Sequence, residues 1–238
     1  VINRAAFAHA LRAVLEHVGT RESGLGWVGW SESQLYATDG YTALLWRPSL
    51  DRDLPPMSWR MATREAKDLL RYVKPNRVRE KLDDVELLVA RNLETGNWEL
   101  HVGLVVPLDE TIPVEAQEEN AGQVYDSEVY ELLTDDVGTH ITAQRIFANL
   151  DALVSKTRVM SNEWVLQSGL VARFAAAEVE YGDRTRWYLC ATPKGDAAVV
   201  TVGDSFLGGV MGLSEPVGES EYELRDASLR DWGLGGEQ

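Results

Sequence analysis

The chain of 238 residues contains a single cysteine, Cys190, so neither an intrachain disulfide nor a multi-cysteine zinc site is expected. Cysteine usage of this kind fits a reducing, cytoplasmic compartment. Histidine is nearly as scarce: His9 and His17 share one predicted helix eight residues apart, and His101 and His140 are isolated. That is not a metal-ligand spacing, so no metal or other cofactor is expected. No stretch approaches about 18 consecutive apolar residues, the length that would mark a membrane-spanning helix, and no membrane association is expected. Residues 1–7 show no long apolar core, so a secretory leader is not expected. No glycine-rich loop ends in Gly-Lys-Ser or Gly-Lys-Thr, which removes a nucleotide-binding P-loop.

What is present is an ordinary globular composition, 45% hydrophobic and 26% charged, in a chain long enough to bury a core without staples. The formal net charge of −15 opposes generic adhesion to DNA or to anionic membrane. The excess is local. Residues 1–107 hold 14 basic and 14 acidic side chains and residues 137–213 hold 7 of each. Residues 108–136 hold 10 acidic and no basic ones, and residues 214–238 hold 7 acidic and 2 basic. The acidity marks a connector and a tail. It predicts a first domain over 1–107, a connector over 108–123, a second domain over 124–213 and a tail over 214–238, with 109–122 extended on the surface.

Hydrophobic spacing supplies the elements. Phe7, Ala10, Leu11, Val14, Leu15 and Val18 recur at helical intervals behind Asn3, an N-cap, with Gly19 as a terminator. β-prone runs follow at 25–30, 34–38, 41–46 and 57–62, with Asp39-Gly40 as a hairpin turn. Thr63 is predicted to cap a second helix over 64–74. Strands follow at 85–90 and 98–106 around a Thr95-Gly96-Asn97 turn, and residues 124–133 read as extended. Thr142 is predicted to cap a third helix over 143–155, with Ile146, Leu150, Leu153 and Val154 inward. Further strands are predicted at 163–167, 171–179, 186–191 and 197–202. Most of the eight tryptophans fall in these strands and read as core. An internal echo links Tyr36–Trp46 with Cys190–Val200, each a strand, an Ala-Thr, a turn containing glycine and an alanine-led strand. The chain therefore reads as three units, each one helix plus about three strands, and as an α+β fold of antiparallel sheets.

The Phe-x-x-Ala-Leu-x-x-Val helix, leading through a strand to Ala37-Thr38-Asp39-Gly40-Tyr41, resembles the first domain of the bacterial DNA polymerase sliding clamp, the β subunit. The second helix with its strand pair, and the third helix with its Ala-Thr turn, continue that resemblance. It implies two related clamp-like domains with helices on one face of the sheets. It also implies a non-enzymatic processivity factor that encircles or cradles duplex DNA without reading sequence and tethers a polymerase or other replication protein, with a clamp loader as a further partner. Two such domains suit a homo-oligomer of three copies per ring. The alternative is a clamp-like adaptor or regulator that binds replication proteins without closing a ring, since only a short helical candidate near 225–232 follows the third unit.

Arg64, Lys67, Arg71 and Lys74 lie at i, i+3, i+7 and i+10 on the second helix, opposite the leucines, with Arg77, Arg79 and Lys81 beyond. Such a stripe is either a solvated helix face or a row of phosphate contacts, and the resemblance assigns that face to DNA. Arg4, Arg12, Arg145 and Lys156 on the other two helices are weaker counterparts. The apolar run Phe206, Leu207, Val210, Met211 and Leu213 is either a partner-binding groove or a strand of the last sheet. Gly203-Asp204-Ser205 is similar to the nucleophile block of small serine esterases, but no histidine follows it, so an esterase is set aside.

Overall fold

A computed structural model describes residues 2–20, 25–48, 58–75, 82–105, 124–133, 142–155, 158–159, 168–178, 184–192, 195–211 and 221–222. The first part runs β1 (Ile2–Asn3), α1 (Arg4–Leu15), β2 (Trp27–Ser31), β3 (Gln34–Thr38), β4 (Thr42–Trp46), β5 (Trp59–Ala62), α2 (Thr63–Val73), β6 (Asp84–Arg91), β7 (Trp98–Val105) and β8 (Val124–Glu131). The second runs α3 (Ala143–Ser155), β9 (Arg158–Val159), α4 (Ser168–Ala172), a 3-10 segment Arg173–Ala177, β10 (Thr185–Thr192), β11 (Gly195–Val202), β12 (Phe206–Met211) and β13 (Glu221–Tyr222).

The first two expected units are present, each a helix followed by strands; in the third, β9, α4 and the 3-10 segment stand between α3 and the strands β10, β11 and β12. The first two exchange their leading strands: β1 pairs with β6, and β5 pairs with β2. One sheet is thereby β1-β6-β7-β8, and the other begins β5-β2-β3-β4. The third unit adds β12, β11 and β10 beyond β4, making seven antiparallel strands in one sheet. The two echoing segments are the β3–β4 and β10–β11 hairpins of that sheet. The sequence placed 124–133 in the second domain. Its strand β8 instead bonds to β7 from Glu99↔Glu131 to Val105↔Val124, so the division of the sheets falls after β8 rather than at 107. Residues 109–122, 163–167 and 225–232 lie outside the described residues. Within the predicted tail, Glu221 and Tyr222 pair with β9.

Local chemistry explains the elements. Asn3 accepts a 3.0 Å bond from the Ala6 amide and caps α1, and Thr142 accepts from the Arg145 amide at 3.1 Å and caps α3. Thr63 does not cap α2. It is the first helical residue, and its hydroxyl donates to the Gly26 carbonyl at 2.9 Å, tying the helix to the entry of β2. Gly19 does not end α1, which closes at Glu16: the Glu16 amide donates to the Ala13 carbonyl at 3.2 Å and the His17 amide to the Val14 carbonyl at 3.0 Å. The predicted strand at 171–179 is α4 with its 3-10 extension. Leu170, Phe174 and Ala177 are buried at i, i+4 and i+7, a helical spacing, and alanine favours the helix over the strand.

The resemblance implied helices on one face only. α1, α2, α4 and the 3-10 segment do share one core with both sheets, built on Phe7, Leu11, Trp30, Leu44, Leu69, Leu100, Phe174 and Phe206. α3 departs from this. Its Ala143, Ile146 and Leu150 pack with Trp27, Tyr36, Leu45, Val199 and Leu207, which point from the opposite face of the seven-stranded sheet. Two adjacent glycines in β12 serve the two faces. A Cβ on Gly208 would lie 2.6 Å from Phe174 Cε1, and one on Gly209 would lie 2.5 Å from Leu150 Cδ2. The Ala143 amide donates to Ser31 Oγ at 3.1 Å, which fixes the start of α3 on β2.

Candidate nucleic-acid interface

α2 separates its faces as its spacing requires. Ala66, Leu69, Tyr72 and Val73 are buried, Leu70 is partly buried, and Arg64, Lys67, Arg71 and Lys74 are all exposed. The helix is amphipathic because apolar and cationic residues each recur with its own period. Thr63, Arg64, Lys67, Asp68 and Arg71 line a shallow open depression of about 400 Å³. Arg71 pairs with Asp68 three residues earlier, and both remain partly in solvent. Arg77, Arg79 and Lys81 lie outside the described residues.

The other predicted cations do not join this stripe as a set. Arg4 is buried at 2% exposure. Its Nε donates to the Val73 carbonyl at 2.8 Å, Nη1 to Leu82 at 3.0 Å and Nη2 to Lys74 at 2.9 Å. It is a tie between helices α1 and α2, not a phosphate ligand, because the strand exchange turns the start of α1 toward the end of α2. Arg12 is exposed, with Nη2 3.4 Å from His9 Nδ1. Arg145 is exposed, but on α3, across the seven-stranded sheet from α2. Lys156 lies outside the described residues.

The apolar run is not an open groove. Phe206, Leu207 and Val210 are buried in β12, which is bonded on both sides, to β11 and to β4. A strand at the centre of a sheet covered on both faces turns its side chains into cores. Met211 is exposed, and Leu213 lies outside the described residues. Gly203, with φ of +54°, opens the turn between β11 and β12, and the Ser205 carbonyl accepts from the Arg47 amide at 2.9 Å. The block thus serves an antiparallel hairpin, not the strand-to-helix bend that presents a nucleophile. Cys190 is buried. Among the described residues, no group of three His, Cys, Asp or Glu side chains is placed to hold a metal ion. No described helix is long and apolar enough to cross a membrane.

One cluster was not legible in advance. The Asp39-Gly40 turn forms as expected, with Gly40 at φ +90° and Asp39 Oδ1 accepting from the Tyr41 and Thr42 amides at 2.8 and 2.6 Å. The other carboxylate oxygen takes an ion pair from Arg173 of the 3-10 segment, whose Nη1 also lies 3.2 Å from Thr42 Oγ1. Burial pushes the Asp39 carboxyl upward, but hydrogen bonds from the Thr42 amide, Arg173 and the Tyr41 amide outweigh it and hold it below its usual range. Beside this pair His17 is fully buried, ring edge to Phe174 at 4.6 Å between centroids. Burial, and then the Arg173 charge, push its pKa down to about 3, against the opposing pull of Asp39. This cluster joins the first unit to the third. Its only signal in sequence was the helical spacing of Leu170, Phe174 and Ala177, which places Arg173 on the adjoining face.

No protein-family profile matches the chain, and no curated protein matches it by sequence. Its fold does match solved structures. The β subunit from DNA polymerase of Streptococcus pyogenes superposes with a TM-score of 0.54 at 10% identity, over 92% of this chain and 65% of that one. The DNA polymerase sliding clamp from Pseudomonas aeruginosa superposes with a TM-score of 0.51 at 13% identity, over 91% of this chain and 64% of that one. The chain thus spans slightly less than two thirds of the length of these proteins. At such identity the likeness is one of architecture, and it agrees with the exchanged helix-and-strand units. The chain has the fold of the DNA polymerase sliding clamps.

Proposed function

We propose that the chain is a sliding-clamp-like processivity factor that cradles or encircles duplex DNA and tethers a polymerase or other replication protein. The observation that carries this reading is the row of four exposed cations on α2, set in a clamp fold whose first 107 residues are charge-balanced with that row included. The excess acidity of the chain repels casual contact, while a local row of cations meets phosphates without reading bases. Confinement then raises the effective concentration of the tethered partner without tight binding.

The test is a variant with Arg64, Lys67, Arg71 and Lys74 all changed to alanine. Association with duplex DNA should weaken equally for all sequences, and the slope of log affinity against log salt should fall by roughly 3 to 4 units. Stability should stay near that of the parent, because each exposed substitution shifts it by no more than about 0.5 kcal/mol. An unchanged salt series in a folded variant would return the stripe to a solvated face.

A second reading, an adaptor that does not close a ring, is favoured by the edge of β8. β4 and β12 pair with each other, whereas their counterpart β8 has no second strand beside it among the described residues. Asp126, Glu128 and Glu131 lie along it. Charged side chains along a strand edge oppose the addition of a further strand to it. Mass in solution separates the two readings: a stable homotrimer supports the ring, and a monomer at micromolar concentration supports the adaptor.

A further inference from the structure

Among the described residues, Asp68 is the one acidic residue lining the α2 depression. At about 100° of turn per residue, Asp68 projects about 40° from Arg64 and about 60° from Arg71. It therefore borders the cation row rather than facing away from it. Arg71 Nη1 is bonded to Asp68 Oδ1, while Arg71 keeps 77% and Asp68 44% of its side-chain exposure. The guanidinium is thus held to the margin of the row by a neighbour, in solvent, where an ion pair is easily exchanged. Lys67 and Lys74 are exposed on the other margin, away from the carboxylate.

We propose that Asp68 attenuates the DNA contact of α2 by holding Arg71 in an ion pair, so that a duplex engages three cations readily and the fourth only in competition with Asp68. This rests on the DNA-facing reading of the stripe. A protein that must move along a duplex gains from contacts that break readily, and each phosphate contact adds steeply to affinity at low salt. A carboxylate that competes with phosphate for one guanidinium weakens the grip without removing the cation. Arg is suited to such an exchange, because its planar fork donates to carboxylate or phosphate in the same geometry.

The experiment is a double-mutant cycle on the full chain, read as affinity for a short duplex of random sequence from roughly 50 to 200 mM salt. Asp68→Asn should tighten binding roughly two- to five-fold, the range an exposed pair supports. It should also steepen the salt slope by roughly 0.9 unit, one released contact. In an Arg71→Ala background, Asp68→Asn should leave the slope unchanged and gain far less affinity. Weaker binding by Asp68→Asn would mean that the carboxylate orients Arg71 for phosphate, and would overturn attenuation. An equal gain with and without Arg71 would mean a general charge effect, and would overturn it as well. A variant with Arg64, Lys67 and Lys74 changed to alanine keeps the two readings apart. If that variant binds like the parent, the DNA-facing reading fails. If it loses binding while Asp68→Asn does nothing, attenuation alone fails. Thermal midpoints check that each variant is folded.

Discussion

Replacing Arg4 by methionine is expected to destabilise the fold by on the order of 4 kcal/mol, more than any single change in the cation row of α2. The guanidinium is buried and donates to three main-chain carbonyls, those of Val73, Lys74 and Leu82. Methionine fills much of the volume but donates nothing, and each buried carbonyl left without its donor costs about 1–3 kcal/mol. Two of these carbonyls lie at the end of α2, where the helix presents unpaired acceptors and partial negative charge. Arg4 therefore closes the end of α2 from the start of α1. Lysine at this position should recover only part of the loss, since a point charge on a flexible stem cannot reproduce a planar fork. Urea unfolding at neutral pH is the measurement, with the slope against denaturant checked for a two-state transition. A loss below about 1 kcal/mol would show that these bonds are replaced by water, and that the α1–α2 tie is weak.

The second expected result is a loss of stability in mild acid that belongs to His17. Both of its ring nitrogens are buried without a hydrogen-bond partner among the described residues, and its pKa in the fold is about 3. In the unfolded chain a histidine titrates near 6.5. Between these values the unfolded state binds the proton and the folded state does not, so stability falls as pH falls. The contribution is fully present above about pH 6.5 and is lost progressively toward pH 3, at about 1.4 kcal/mol per pH unit. His17→Phe should remove that slope while leaving stability at pH 7 within about 1 kcal/mol, since it deletes two unpartnered buried nitrogens. Asp39 acts in a separate window. Its folded pKa lies below the usual carboxylate value, so its contribution is lost only below about pH 4. Unfolding free energies at pH 7, 6, 5 and 4 for parent and variant decide the matter. Parallel curves through pH 6.5 to 4 would show that His17 is hydrated and titrates normally.

The amphipathic helices, the hairpin turns and the first two helix-and-strand units were legible because each depends on neighbours a few residues away. Asn3 and Thr142 cap their helices through bonds to amides three residues on, and Asp39-Gly40 turns the chain through bonds to Tyr41 and Thr42. The two faces of α2 follow from helical period alone, so the exposure of Arg64, Lys67, Arg71 and Lys74 was determined by sequence. Where those elements pack was another matter. The same period leaves Arg4 at the end of a helix with no indication that strand exchange will bury it among the carbonyls of α2. Phe206, Leu207 and Val210 read equally as groove or strand, because an apolar run does not say whether both faces will be covered. The side of the sheet that α3 occupies was decided by Gly209, Ser31 and the apolar residues on that face, contacts made between segments far apart in the chain. Sequence determined the elements and their faces, since those are set by short-range sterics and hydrogen bonds. Tertiary structure decided which face meets which, since that depends on surfaces assembled from distant segments at once.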